Sequence, residues 1–381
     1  MKEKFIQRFG FAPAAIAQAP GRLEVLGNHT DYNEGFVLSC AVGQNTRFAL
    51  TPQETSRCQI VDFRSGEEMS FDLAAMDAPP PENGSAYIIG MMNEMRKRGA
   101  EFTGFVAGLE SDVPLSAGMS SSAALETAAG LALGKAFGFE LDKAEWARAG
   151  QGVENNFLGL KTGLLDQFSS LFGKADNIIM SDFRSVEVID TLPLQKGYVF
   201  VVVNSMIKHH LVDSDYNVRR ENCESAAAKL AAVYPGIQTL RDITPEMLEN
   251  AADHLSAMEL ARARHVVNEC FRVQQAPAIL RAGRMDDFGK LLYASHESSR
   301  VNFENSTPEL DCLVELSSSI PGCIGARLSG GGFGGITIHL VESAEAERYS
   351  QRISAAYHSR TGITPQCFIC SIGDGASRVE S

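Results

Sequence analysis

The sequence predicts an α+β chain organised as two domains, and three observations carry that reading. Its 381 residues exceed the size at which one hydrophobic core usually keeps growing. A strand-like alternation over 102–112 runs through a Gly- and Ser-rich loop into Ala-rich helical sequence. After Gly173 the pattern changes, with short strands around 177–188 and 198–204 leading into helical stretches at about 217–233 and 260–281.

Each element follows from local chemistry. The run PPPENG at 79–84 is the clearest loop signal and separates a strand-rich opening from a helix. Asp142 and Glu145 have capping-box spacing, so a helix should begin there, run to Leu158 and carry Glu154 near its C-terminal end. The unbroken apolar run at 198–203 reads as a buried strand. Late in the chain, GARLSGGGFGGITIHLV at 325–341 sets a glycine-dense turn before an alternating strand, a hairpin-like setting in which backbone can approach a ligand closely.

Composition excludes several classes. A net charge of −13 disfavours broad contact with nucleic acid, since neutralising phosphates needs clustered Lys and Arg. No apolar run approaches the roughly 20 residues of a bilayer span. The N-terminus interleaves charge with apolar residues, so export is not expected and the protein is read as cytoplasmic. Eight cysteines spread over such a chain read as reduced core thiols rather than a disulfide framework, and Cys367 and Cys370 lack the second pair or nearby His of a zinc site. No protein partner is evident in the sequence.

Chemistry concentrates at 114–123, PLSAGMSSSA, where exposed N–H groups at a helix start, aided by the helix dipole, can receive an anion. The same segment also suits an ordinary N-capped helix after a Gly turn. No G-x-x-x-x-G-K-[ST] run and no protein-kinase catalytic loop occurs, which removes the common P-loop and protein-kinase architectures.

Three motifs together carry a family resemblance. The opening PGRLEVLGNHTDYNEGFVLS at 20–39 resembles the galactokinase signature, 114–123 is similar to the second motif, and 330–335 to the third, of the wider superfamily of galactokinase, homoserine, mevalonate and phosphomevalonate kinases. VENNF at 153–157, GLLDQF at 163–168, SDYNVRRENCE at 214–224 and RARHVVNE at 262–269 resemble galactokinases rather than the isoprenoid enzymes. The resemblance implies two α+β domains with the active site in the cleft between them. The first, 1–185, would hold the sugar motif, phosphate loop and catalytic Asp; the second, 186–381, would hold the third motif, with the last strands returning to the first.

It also implies an ATP- and Mg²⁺-dependent kinase that phosphorylates a hexose, galactose first, on its anomeric hydroxyl. Asp166 matches the aspartate facing the attacking hydroxyl and Arg22 the arginine beside it. Ser116, Ala117, Gly118, Met119, Ser120, Ser121, Ser122 and Ala123 match the nucleotide loop, with Ser122 and Glu154 as Mg²⁺ ligands. Gly330, Gly331, Gly332, Gly334 and Gly335 form the third motif. Asn28, His29, Asp31, Gly163 and Tyr216 match sugar contacts. Taken singly, each has a plainer reading, Asp166 as a cap, Glu154 as a solvated face and His29 as structural.

Three rivals accompany this reading. One is a galactokinase-like sensor that binds sugar and ATP without turnover; another is a homoserine or mevalonate kinase. The third rests on a departure from the family, whose signature has Asn at the position of Glu24 and Glu at that of Asn28. The reciprocal exchange suggests a preserved amide–carboxylate pair, and moving the charge off position 28 suggests relaxed discrimination at C6, as for galacturonate.

Overall fold

The computed structural model describes residues 1–114, 118–207 and 212–380. Its elements, in order, are α1 (Lys2–Phe9), β1 (Ala15–Leu26), β2 (Phe36–Pro52), β3 (Arg57–Asp62), β4 (Glu68–Asp72), α2 (Ser85–Lys97), β5 (Phe105–Ser111), α3 (Ser121–Phe137), α4 (Lys143–Gly152) and α5 (Leu165–Phe172). There follow β6 (Asn177–Asp182), β7 (Glu187–Pro193), β8 (Tyr198–Asn204), α6 (Val212–Val233), α7 (Pro245–Asn250), α8 (Ala257–Arg281), α9 (Met285–Ser298), α10 (Pro308–Ser317), β9 (Cys323–Ser329), β10 (Ile336–Glu342), α11 (Ala346–Thr361), β11 (Gln366–Cys370) and β12 (Ser377–Val379). Among the described residues no helix is long and apolar enough to cross a membrane.

The chain divides into two compact units, both discontinuous. One comprises Met1–Arg22, Ala41–Ala175 and Gly373–Ser381; the other comprises Leu23–Cys40 and Asp176–Ile372. The main change of unit falls at Ala175, and the opening motif is shared, Arg22 lying in the first unit and the residues after it in the second.

In the first unit the strands lie in the order β12-β1-β2-β5-β3-β4. β3 and β5 are parallel, and β12 pairs antiparallel with β1 through Ile16 and Val379. Helix α3 is buried on every side from Ala123 to Gly134, as expected of a helix apolar all round. Its small residues allow this: a Cβ on Gly130 would stand 3.1 Å from Trp146 and 3.2 Å from Met91. Asp142 caps α4 as expected, accepting the N–H of Glu145 at 2.8 Å. The helix stops earlier than its composition suggested. At Gly152 it passes into one wide π turn, Val153–Phe157, closed by Leu158 N–H on Val153 O at 3.0 Å, so Glu154 sits on an irregular turn of the kind that marks functional sites.

In the second unit the first residues of β2 pair with β6, Phe36 opposite Asp182, and β6 turns into β7. A separate antiparallel sheet runs β11-β8-β10-β9. Its central strand β8 buries Phe200, Val201, Val202 and Val203 completely, each contributing about 1.5–3 kcal/mol of apolar burial. One core cluster gathers α6, α7 and α8 around Leu230, Leu248, Val266 and Phe303. Another packs α11, through Tyr349, Ile353 and Tyr357, on the sheet. The hairpin expected around 325–341 is present as β9 and β10, Ser329 opposite Ile336. Its connection requires glycine: φ is 85° at Gly330, 82° at Gly332, 125° at Gly334 and 81° at Gly335, and a Cβ on Gly332 would lie 2.2 Å from Asn305 O.

Candidate active site

In the first unit the site is built where β1 passes the loop before α3. A Cβ on Gly21 would stand 2.5 Å from Met119 O, so only glycine lets the strand come this close, and Arg22 N–H then donates to that same carbonyl at 3.0 Å. Arg22, 5% exposed, gives Nη1 to Gly118 O at 2.6 Å. Its Nε and Nη2 both reach Oδ1 of Asp166, at 2.8 and 2.7 Å. Asp166 lies in the first turn of α5, and its other oxygen, Oδ2, accepts from the Ser120 hydroxyl.

That contact bears on the ordinary reading of the loop. Ser120 occupies the N-cap position of α3 with φ 53° and makes no side-chain cap, its hydroxyl being turned to Asp166 instead. Gly118 also has positive φ, 64°. Met119 and Ala123 are fully buried; Ser121 and Ser122 are partly exposed, and Ser116 and Ala117 lie outside the described residues.

Glu154 is 5% exposed, with Oε1 3.5 Å from Ser122 Oγ and Oε2 accepting from Thr162 Oγ1 at 2.5 Å. Burial, then the charge of Asp166, pushes its carboxyl up to about 7. Behind it Glu126, fully buried one helical turn beyond Ser122, accepts from Gln167 Nε2 at 3.0 Å, and burial raises its carboxyl well above the ordinary range, with Glu154 adding to the effect. Such a half-buried hydroxyl–carboxylate pair suits a hard divalent cation, whose charge would offset this crowding of acids. Among the described residues no group of three His, Cys, Asp or Glu could ligate a metal, so a cation here would complete its shell with phosphate and water oxygens, as Mg²⁺ commonly does. Gly163, partly exposed, follows Thr162 just ahead of α5.

In the second unit the structure brings together Asn28, His29, Tyr216 and the third motif. Asn28 is completely buried and its carboxamide is fully used: Nδ2 donates to Glu24 Oε1 at 2.9 Å and Gly330 O at 2.8 Å, while Oδ1 accepts from Asn305 Nδ2 at 3.0 Å and Ser299 Oγ at 3.3 Å. These bonds tie the side chain to β1, to the third motif and to the 299–305 segment. His29 is likewise engaged at both nitrogens. Nε2 donates to Gly331 O at 3.1 Å, so Nδ1 is the acceptor from Tyr32 OH at 3.0 Å. Burial, more than any neighbouring charge, lowers its pKa to about 3 and keeps the ring neutral. Its ring packs between Phe303 at 4.5 Å and Tyr216 at 5.0 Å, and Tyr216 borders Gly331. Asp31, partly exposed, opens the 3-10 turn Asp31–Asn33 that follows.

Several supporting residues carried no assigned role in the sequence. Glu269, buried, accepts the N–H groups of Gly27 and Asn28 at 3.0 and 3.3 Å, and His265 Nε2 donates to Asn28 O at 3.0 Å. Arg327, buried, pairs with Glu24 at 2.7 Å and reaches Val25 O. The signal available was a charged residue within apolar strand or helix sequence, as at Glu126 in an Ala-rich run.

An arginine-braced carboxylate beside a serine-rich helix start, in this mixed fold, defines a small-molecule kinase of the GHMP class. Family models agree: a galactokinase galactose-binding signature matches residues 3–52, the GHMP kinase N-terminal domain 86–174 and the GHMP kinase C-terminal domain 276–359. The mevalonate kinase of Methanococcus jannaschii shares the fold, with a TM-score of 0.65 at 19% identity over 94% of this chain and 98% of that one. Among curated proteins, a galactokinase of Roseiflexus sp. (strain RS-1) is 38% identical, covering 100% of this chain and 96% of the relative. One from Actinobacillus pleuropneumoniae serotype 5b (strain L20) is also 38% identical, covering 98% and 97%. Lactococcus lactis galactokinase, solved in complex with galactose, superposes with a TM-score of 0.92 at 30% identity, covering 99% of this chain and 98% of that one. The chain belongs to the galactokinase family, whose members take ATP as co-substrate.

Proposed function

We propose that this chain transfers the γ-phosphoryl group of ATP to the anomeric hydroxyl of galactose. The observation that carries the reading is the state of Asp166: one oxygen is held by two N–H groups of Arg22, and the other, among the described residues, accepts from a single donor, the Ser120 hydroxyl. A sugar hydroxyl arriving at Oδ2 replaces Ser120 as the donor, and Asp166 then orients it and receives its proton as the O–P bond forms. Arg22 stays in place through Gly118 O and compensates the negative charge beside it.

The loop N–H groups at 118–123 are assigned to the nucleotide phosphates on helix-start physics. Ser122 and Glu154 would hold Mg²⁺, which supplies screening of phosphate charge when bound. Asp31, Tyr216 and Gly163 are assigned to the sugar on the family resemblance. Asn28 and His29, whose polar atoms are taken by Glu24, Tyr32 and the third-motif carbonyls, position rather than touch it. With the loop, Asp166 and Glu154 all present, no observation favours a non-catalytic sensor. Nor does any favour a C6-modified natural sugar, since Asn28 has no free polar atom to offer one. The cytoplasmic reading is supported by eight free cysteines.

The test is an ADP-release assay over galactose, N-acetylgalactosamine, galacturonate, glucose and arabinose, with phosphorus NMR of the product. Galactose should be used best and yield a 1-phosphate. A different preferred sugar, or phosphate on another hydroxyl, would reject the proposal.

A further inference from the structure

The turn that carries Asp31 ends in a residue that ordinary backbone preference does not explain. Glu34 has φ 57°, a left-handed conformation that costs a non-glycine residue free energy unless its surroundings hold it there. Two arginines from distant parts of the second unit do so. Arg241 Nη1 donates to the Glu34 carbonyl at 2.8 Å, and Arg184 Nε donates to the Glu34 carboxylate at 2.7 Å.

Both arginines are themselves fixed. Arg241 gives Nη1 and Nη2 to the two oxygens of Asp182 at 2.6 and 2.7 Å, and its guanidinium lies 4.3 Å over the Phe36 ring. Asp182 also accepts the N–H groups of Arg184 and Ser185 at 2.8 and 3.3 Å, which locks the carboxylate at the end of β6. Arg184 in turn reaches both oxygens of Asp242, the neighbour of Arg241, at 2.6 and 2.9 Å. Residues 182 and 184 therefore brace residues 241 and 242, with Glu34 gripped by both.

The start of β2 does not need this brace, since Phe183 N–H donates to Gly35 O at 3.0 Å and the β2–β6 ladder continues from there. What the brace adds is the orientation of the turn just upstream. We infer that the Arg241–Asp182 pair, seconded by Arg184 and Asp242, is a positioning device that sets sugar affinity by fixing the turn bearing Asp31. This rests on the proposal that Asp31 contacts the sugar.

The test compares the full-length wild type with Asp182→Asn and Arg241→Lys, measuring galactose binding by calorimetry, KM for galactose and for ATP, kcat, and thermal melting. Asp182→Asn should raise Kd and KM for galactose by about tenfold or more, the scale on which small misplacements act, with KM for ATP and kcat within about twofold. Arg241→Lys keeps the charge but cannot span the Glu34 carbonyl and both Asp182 oxygens, so it should show a smaller rise of the same kind. A lowered melting temperature with unchanged galactose Kd in both variants would overturn the inference and leave a merely structural pair. Absence of galactose binding by the wild type would instead reject the proposed substrate.

Discussion

Asn28 donates to the carboxylate of Glu24 across 2.9 Å, and the same carboxylate oxygen pairs with buried Arg327 at 2.7 Å. The amide–carboxylate pair expected from the exchanged signature positions exists, and a turn makes it. Glu24 belongs to β1, and the chain reverses at Gly27, φ 100°, to bring Asn28 back.

Glu24→Asn should cost about 3–5 kcal/mol, because Arg327 would be left as a buried charge without its partner. Asn28→Glu should cost a similar amount, since a carboxylate there faces Glu24 and cannot donate to Gly330 O. In the double exchange the costs should fall short of their sum by about 1–2 kcal/mol. Urea denaturation of all three variants checks this; additive costs would mean the two positions act independently.

Replacing Asp166 with Ala should lower kcat by about 10²–10⁴, the range of general acid–base contributions, while nucleotide affinity changes little. Steady-state kinetics with a nucleotide titration would decide it, and turnover near that of the wild type would remove Asp166 from the mechanism.

The double variant Ser122→Ala, Glu154→Gln should need a higher Mg²⁺ concentration for half-maximal activity and lose the stabilisation that Mg²⁺–nucleotide gives the wild type on melting. Identical Mg²⁺ titrations in both proteins would reject this ligand assignment.

His339, fully buried between Thr337 Oγ1 at 2.7 Å and Tyr349 OH at 2.6 Å, has its pKa lowered by burial to about 3. A base depressed in the folded state is neutral in both states above its unfolded value of 6.5; below it the unfolded chain takes the proton first, and stability falls until the folded group titrates near 3. The stability deficit of His339→Gln relative to wild type should therefore shrink by about 1.4 kcal/mol per pH unit below that value. Urea melts at pH 8, 6 and 5 measure it; a deficit independent of pH would show that burial does not depress this histidine.

What the sequence determined by itself was whatever is local or shared as a motif. The strand at 105–111 and the helix at 121–137, the buried β8, the glycine hairpin at 323–342 and the Asp142 cap all follow from periodicity, capping and turn chemistry among neighbours. Arg22, Asp166, Ser122 and Glu154 were named from motif resemblance, and the structure sets Arg22 against Asp166 and Ser122 beside Glu154. What only the tertiary structure decided depends on partners far apart in the chain. That Ser120 turns to Asp166 instead of capping its own helix, that Asn28 is also spent on Gly330, Ser299 and Asn305, and that Glu34 is gripped by Arg184 and Arg241 are such facts. A side chain's hydrogen-bonding capacity is finite, and which groups exhaust it is set by packing between segments distant in the chain, which no local pattern encodes.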